Sequence, residues 1–168
     1  HPNVVCVALA SRNARVAWAM LSRGHAQCVA VADLNELKSH LDTLTSAQAV
    51  TWGVAKDEAV EVCTQADTEA QQAGAIARTR ENFKFRAAPG VMMLDHDGLP
   101  DGALSPLQFR DQLIAAAPAL ANAPMLWRPS ASAGCVDPDG GVLSGLTRHR
   151  LYIPVADATL IPEAGTAL

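Results

Sequence analysis

The sequence has few aromatic residues and lacks any long apolar run. Phe, Trp and Tyr supply only 4% of its 168 residues, although hydrophobic residues reach 49%. A globular core built from small and aliphatic side chains is therefore expected. No stretch approaches the roughly 20 apolar residues of a membrane span. No signal peptide follows His1, the first residue, so we expect a cytoplasmic chain without membrane contact, cut from a longer reading frame.

Paired cysteines and excess positive charge are also missing. Cys6, Cys28, Cys63 and Cys135 are widely spaced and form no CxxC pair, which argues against a zinc ribbon. Without a secretory signal they predict buried thiols in a reducing compartment rather than a disulfide framework. The net charge is −4, so no global basic field attracts nucleic acid. Contact with a polynucleotide would need a local basic patch.

The first half of the chain predicts an α/β unit. Residues 11–24 predict a helix capped by Ser11 and ended by Gly24. Residues 28–32 and 49–54 predict strands. Between them a leucine stripe with a capping box of Asp33 and Glu36 predicts a helix over 33–44. Residues 56–82 are polar and predicted to be partly helical, and the densest basic cluster follows from residue 78 to residue 86.

From residue 90 the predicted order is strand, helix, strand, long loop, strand. "GVMMLD" (90–95) reads as a strand buried on both faces. Ser105-Pro106 starts a helix that ends near Pro118. "PMLWRPS" (124–130) and "HRLYIPV" (149–155) are the other two strands, the last with alternating apolar residues. The predicted fold class is α+β: part of a ferredoxin-like or RNA-recognition-like core, preceded by the α/β unit.

Asp95 and Asp97 stand at the end of the first of these strands. Carboxylates at positions i and i+2 of a strand project from one face, where they can bind a hard divalent cation. The simpler alternative is that Asp97-Gly98 is a turn that ends the strand. A calcium loop does not fit, because Leu99 and Pro106 occupy the positions of its third and last ligands. His96 points to the opposite face and is expected to be packed or solvated.

A second polar segment, "WRPSASAG" (127–134), follows one helix later. Arg128, Ser130 and Ser132 alternate ahead of Gly134. An arginine, small hydroxyls and backbone N–H groups near a glycine suit a triphosphate. An ordinary Ser/Gly loop is the alternative. Beside the aspartate pair on a neighbouring strand, the segment would complete a coherent site.

Together these segments resemble the archaeo-eukaryotic primase superfamily, in particular the primase-polymerase domains of phages, plasmids and integrated elements. The resemblance covers about residues 34–168 and is strongest at "MLDHD" and "RPSASAG". It implies that Asp95 and Asp97 bind Mg²⁺ or Mn²⁺, and that Ser130 and Ser132 belong to the second motif. The family tends to complete that motif with "G-x-H-x-Y". Here Arg150 lies two residues before Tyr152, and His149 lies three before. On a regular strand Arg150 and Tyr152 would therefore share a face, and His149 would point to the other.

The family's third motif, another aspartate, has no clear counterpart. Asp157 follows the preceding strand too closely, so the third carboxylate is expected beyond Leu168. A second resemblance covers residues 2–24, which are similar to the C-terminal tail of DEDD-type insertion-sequence transposases and contain none of their catalytic acids. An ordinary alanine-rich amphipathic helix is the alternative. The predicted division is therefore a helical segment (1–27) and an incomplete primase-polymerase-like domain (28–168), joined in a mobile element.

The resemblance implies a metal-dependent nucleotidyltransferase, a DNA primase or polymerase domain fragment that uses nucleoside triphosphates. Its substrate-binding residues would be Arg128, Ser130, Ser132, His149 and Arg150. Arg78, Arg80 and Lys84 would contact the phosphates of a DNA or RNA template, or else form a solvated basic face. A helicase domain is a candidate downstream partner. The alternative is a non-catalytic nucleic-acid-binding or transposase-derived fragment.

Overall fold

The computed structural model describes most of the chain and divides it into two compact units. The described residues are 22–45, 48–51, 53–98, 104–130, 133, 139–140 and 148–168, together with the backbone of 3–10. The first unit is His1–Gly90 with Ala156–Thr159, and the second is Val91–Val155 with Leu160–Leu168. None of the described helices combines the length and apolar composition that a bilayer crossing requires. Helices and sheets occur in both units, so the fold is α+β, as predicted.

The first unit is built on a five-stranded sheet with the strand order β3-β1-β2-β5-β6. Neighbours are antiparallel except β5 and β6, which run parallel. Its strands are β1 (Asn3–Ala10), β2 (Arg23–Val31), β3 (Gln48–Val50), β5 (Ala59–Cys63) and β6 (Ile76–Ala77). Two further short strands, β4 (Val54–Ala55) and β7 (Phe83–Lys84), pair with each other in antiparallel. Small and β-branched side chains around Phe83 form the core of this unit, as the composition led us to expect.

Helix α1 (Leu34–Thr43) follows β2. The Asp33 side chain caps it by accepting the backbone N–H groups of Asn35 and Glu36, at 2.8 and 2.9 Å. Leu37 and Leu41 form its buried stripe. The predicted capping box is altered, because the Glu36 carboxylate accepts the N–H of Ala32, at 2.6 Å, instead of that of Asp33. The helix itself is confirmed.

Two predictions for the first half need correction, and a third, that residues 56–82 are partly helical, is confirmed. Arg23 and Gly24 lie in β2 rather than at the end of a helix, and residues 11–21 lie outside the described residues. The predicted strand over 49–54 is divided between β3 and β4, with a positive φ of 72° at Gly53. Residues 56–82 contain a short helix, α2 (Thr68–Gln72), but also the unpredicted strand β5.

The second unit holds a three-stranded sheet with the order β8-β10-β9. These strands are β8 (Gly90–His96), β9 (Leu126–Pro129) and β10 (His149–Val155), all close to their predicted bounds. Helix α3 (Pro106–Ala116) connects β8 to β9, and α4 (Ile161–Ala167) follows β10. Because β10 lies between β8 and β9 in the sheet, α3 connects two strands that are not neighbours.

Helix α3 begins where the Ser105-Pro106 pair predicts. Ser105 and Gln108 form a reciprocal capping box, and proline occupies the first turn. A short 3₁₀ helix (Pro118–Asn122) then leads to β9. The prediction that β8 is buried on both faces is wrong, because Met92 is buried while Met93 is 41% exposed. One face of β8 is therefore accessible.

The predicted helical character of residues 1–27 is wrong for the part of that segment that the structure describes, because Asn3–Ala10 is strand β1 and β2 begins at Arg23. The predicted boundary between residues 27 and 28 falls inside β2. This boundary follows from the two resemblances alone, so it concerns the origin of the two segments and remains a prediction. Of the four cysteines, Cys28 is half-buried and Cys63 is fully buried. The side chains of Cys6 and Cys135 lie outside the described residues.

Candidate functional site

An ion pair joins β8 to β10 at one end of the second unit's sheet. The Nε and Nη2 atoms of Arg150 both lie 3.1 Å from the Oδ2 atom of Asp95. The two side chains are 32% and 31% exposed. A pair this accessible to water stabilises the fold by about 1 kcal/mol or less. Asp95 is thus held by a cation but remains within reach of a ligand from solvent.

Arg128 extends this positive charge onto β9. It lies directly opposite Arg150 in the antiparallel ladder, so the two side chains share a face of the sheet. Ser130 follows β9 directly, one residue beyond the end of the strand. Its backbone N–H donates to the carbonyl of Arg148, at 3.0 Å, and its side chain is buried. Two arginines thus share one face of the sheet, and one of them, Arg150, pairs with the carboxylate of Asp95.

Tyr152 lies among these charges. Burial raises the pKa of its phenol, while the positive charges of Arg150 and Arg128 act in the opposite direction and Asp95 adds a smaller upward effect. Arg150 also hydrogen-bonds the phenol. Arg150, Arg128 and Asp95 all act on Tyr152, and Arg150 also pairs with Asp95, so we treat Asp95, Arg128, Arg150 and Tyr152 as one charged cluster.

The opposite face of the same sheet is held by two histidines. His149 is 1% exposed, and its Nε2 atom donates to the carbonyl of Leu104, at 2.8 Å. The Leu104 N–H points at Nε2 of His96, at 3.4 Å. The ring of His96 packs against Phe109 of α3, with centroids 5.0 Å apart, and against His149, at 6.2 Å. The two imidazoles thus hold the backbone of Leu104, the residue before the N-cap of α3, against β8 and β10.

These contacts show which face of the sheet carries His149. Alternation along β10 puts Arg150 and Tyr152 on one face and His149 on the other, as the sequence pattern predicts. The Nδ1 atom of His149 is buried and has no hydrogen-bond partner among the described residues. His149 therefore lies outside the charged cluster, and Arg150 takes the position from which a side chain reaches Asp95. His96 is packed, as predicted.

The remaining predicted residues of the site are placed as follows. Asp97 is exposed and lies one residue beyond β8. Ser132 lies outside the described residues. The expectation that the serine segment stands on the strand next to the aspartates is wrong, because β10 separates β9 from β8. Arg150 on β10 is what connects the two edges.

The predicted template-binding residues lie in the first unit. Arg78, Arg80 and Lys84 are all exposed. The pKa of Glu81 is lowered, first by the Thr79 hydroxyl and the Glu81 backbone, and to a smaller extent by the charges of Lys84 and Arg80. A carboxylate is therefore interleaved with the basic side chains.

The chemistry of the charged cluster suits a divalent cation only in part. Asp95 and Asp97 supply carboxylate oxygens, the ligands that Mg²⁺ and Mn²⁺ prefer. Within the described part of the chain, no three His, Cys, Asp or Glu side chains gather around one point. The donor atoms are thus of the right kind, and two carboxylates are what the described residues offer.

Sequence reasoning missed the ion pair between Asp95 and Arg150. The ion pair depends on β10 lying between β8 and β9, and a strand order cannot be read from a local sequence pattern.

Comparison of the chain with protein-family models, with curated proteins and with solved structures found no match. The functional argument therefore depends on the charged cluster.

Proposed function

We propose that the second unit is a metal-dependent nucleotidyltransferase domain fragment of the primase-polymerase type, from a mobile genetic element. In this proposal Asp95 and Asp97 hold Mg²⁺ or Mn²⁺. Arg128, Arg150 and Ser130 receive the phosphates of a nucleoside triphosphate. The metal, when bound, would neutralise charge on the phosphates and activate the attacking hydroxyl of a primer.

The observation that carries the proposal is the contact between Asp95 and Arg150. It brings a carboxylate for the metal and a guanidinium for the phosphates onto one accessible face of one sheet. Phosphoryl transfer depends on such positioning and electrostatic stabilisation more than on covalent chemistry by the protein. Arg128, on the next strand, adds a second positive charge to the same face.

The strand order gives independent support. A ferredoxin-like or RNA-recognition-like core joins its first two strands by a helix and places the third strand between them, as a split β-α-β unit does. The order β8-β10-β9 with α3 after β8 has this connectivity. The charged cluster stands on the sheet face that lies away from His96 and its α3 partner Phe109.

Template binding is assigned to the exposed basic segment of the first unit, Arg78, Arg80 and Lys84, with DNA or RNA as the strand. Lys and Arg side chains that neutralise phosphates make such binding fall steeply with salt. A downstream helicase domain remains a proposed partner, and a third carboxylate beyond Leu168 a proposed addition to the metal site. The cytoplasm is the proposed location.

Metal-dependent thermal shifts test the assignment. Mn²⁺ should raise the melting temperature of the wild-type protein, and ATP added afterwards should raise it further, because both ligands bind the folded state. Asp95→Asn with Asp97→Asn should abolish the Mn²⁺ response. The matched control is Asp111→Asn, which changes an exposed carboxylate on α3 and should respond like wild type. Equal shifts in all three proteins would refute the metal site.

The alternative is a non-catalytic nucleic-acid-binding or transposase-derived fragment. One observation favours it. Arg150 already neutralises the charge of Asp95, so this face of the sheet carries the positive charge of Arg128 without a free carboxylate at Asp95 to bind a metal. This alternative expects single-stranded DNA to bind equally well in EDTA and in Mn²⁺. Asp95→Asn would then strengthen DNA binding, whereas nucleoside triphosphates would not bind at all.

A further inference from the structure

Arg150 occupies the carboxylate that the proposed metal needs. Both its Nε and Nη2 atoms point at the same oxygen, Oδ2 of Asp95. A divalent cation and a guanidinium cannot share that oxygen without strong repulsion between their charges. Metal binding through Oδ2 of Asp95 therefore favours release of Arg150.

Arg150 also has somewhere to go. A guanidinium carries five N–H donors, and this one sits opposite Arg128 and beside the Tyr152 hydroxyl. A phosphate group placed over β9 and β10 would meet two arginines whose forked donors match its oxygens. With about a third of its side chain exposed, Arg150 can turn from Asp95 to such an anion.

We propose that Arg150 is a latch: it holds Asp95 in the ligand-free protein and moves to the nucleotide's phosphates when a divalent cation takes the carboxylate. This inference rests on the proposed function. Whichever ligand arrives first breaks the ion pair, and the second ligand then binds a group that is already free. Linkage requires the effect to be reciprocal, so metal and triphosphate each raise the other's affinity.

The latch predicts opposite effects for the two members of the pair. Arg150→Gln frees Asp95 and should bind Mn²⁺ alone about tenfold more tightly, while ATP in EDTA binds about tenfold more weakly. Asp95→Asn frees Arg150 and should bind ATP in EDTA about tenfold more tightly, while Mn²⁺ alone binds more weakly. Isothermal titration measures each ligand separately, so no catalytic activity is needed.

Arg110→Gln is the matched control. Arg110 is an arginine of α3 in the same unit, paired with its neighbour Asp111, and its loss should leave both affinities unchanged. The circular dichroism spectrum and melting temperature of each variant confirm that it is folded before titration. If Arg150→Gln fails to fold, Arg150→Met replaces it, because methionine keeps the apolar stem of the side chain.

The outcomes separate the two proposals. Opposite shifts in the two variants support the latch. If wild type binds Mn²⁺ but Arg150→Gln does not bind it more tightly, the latch is wrong and the metal site stands. An unchanged affinity of Asp95→Asn for metal-free ATP also overturns the latch, since Arg150 would then not be a phosphate ligand. Failure of wild type to bind Mn²⁺ overturns the proposed function together with the latch.

Discussion

His149 provides the sharpest test of how the second unit is held together. Its ring is 1% exposed and packs against His96 and Trp127, and its Nε2 atom donates to the Leu104 carbonyl. Truncating a buried ring to alanine costs about 3–5 kcal/mol for the larger aromatics. A lost hydrogen bond adds about 1 kcal/mol, and removal of the unpaired Nδ1 atom offsets a similar amount. We expect His149→Ala to lower the free energy of unfolding by about 3 kcal/mol.

Urea denaturation followed by tryptophan fluorescence measures this loss, because Trp127 touches the mutated ring, with centroids 5.7 Å apart. The control is His25→Ala. His25 is exposed on β2 and pairs with the exposed Glu61, so its variant should stay within about 0.5 kcal/mol of wild type. A loss below about 1 kcal/mol for His149→Ala would show that the two histidines do not hold Leu104 as described.

Three further predictions concern a pKa, a glycine and a helix cap. Tyr152 is the only tyrosine, so absorbance at alkaline pH should show its phenol ionising above the usual pH of about 10. Because the folded-state pKa is raised, the associated stability is present below that pH and is lost as the pH rises; a midpoint at or below 10 would contradict the burial. Gly53→Ala should destabilise the fold by more than about 1 kcal/mol, since φ is +72° and a Cβ would lie 3.0 Å from a backbone carbon of β7. The control Gly165→Ala has open space in α4 and should stabilise by about 0.5 kcal/mol, so equal melting temperatures would refute the argument. Ser105→Ala removes one half of the capping box with Gln108 and should cost about 1 kcal/mol in urea denaturation; no loss would mean that the cap is not needed.

Local signals predicted the helices whose start is marked by a capping residue. Asp33 before a leucine stripe gave α1, and Ser105-Pro106 gave the start of α3. Strand β5 was missed although Val60 and Val62 alternate with Glu61, because the polar residues on either side outweighed a run of only five residues. Short strands depend on their sheet neighbours more than on propensity.

The candidate site was predictable only in its ingredients. Asp95 and Asp97 are visible in the sequence because a DxD follows an apolar run. The partner of Asp95 was not predicted, because the contact depends on β10 lying beside β8, which is a property of the strand order. Period-two alternation did place Arg150 and His149 on different faces. Alternation is local and strand order is global, so the first was predicted and the second was not.

The alternation also separates binding from stability at neighbouring positions. Asp95 and His96 are consecutive on β8, as His149 and Arg150 are on β10, yet the charged side chains meet on one face and the imidazoles on the other. Half-exposed ion pairs contribute little to folding, whereas buried rings contribute much. Replacing Asp95 or Arg150 should therefore change ligand affinity with little change in melting temperature, while replacing His149 should mainly lower the melting temperature. If variants at adjacent residues instead changed both properties equally, the two faces would not be independent, and the charged cluster could not be treated as a site distinct from the core beneath it.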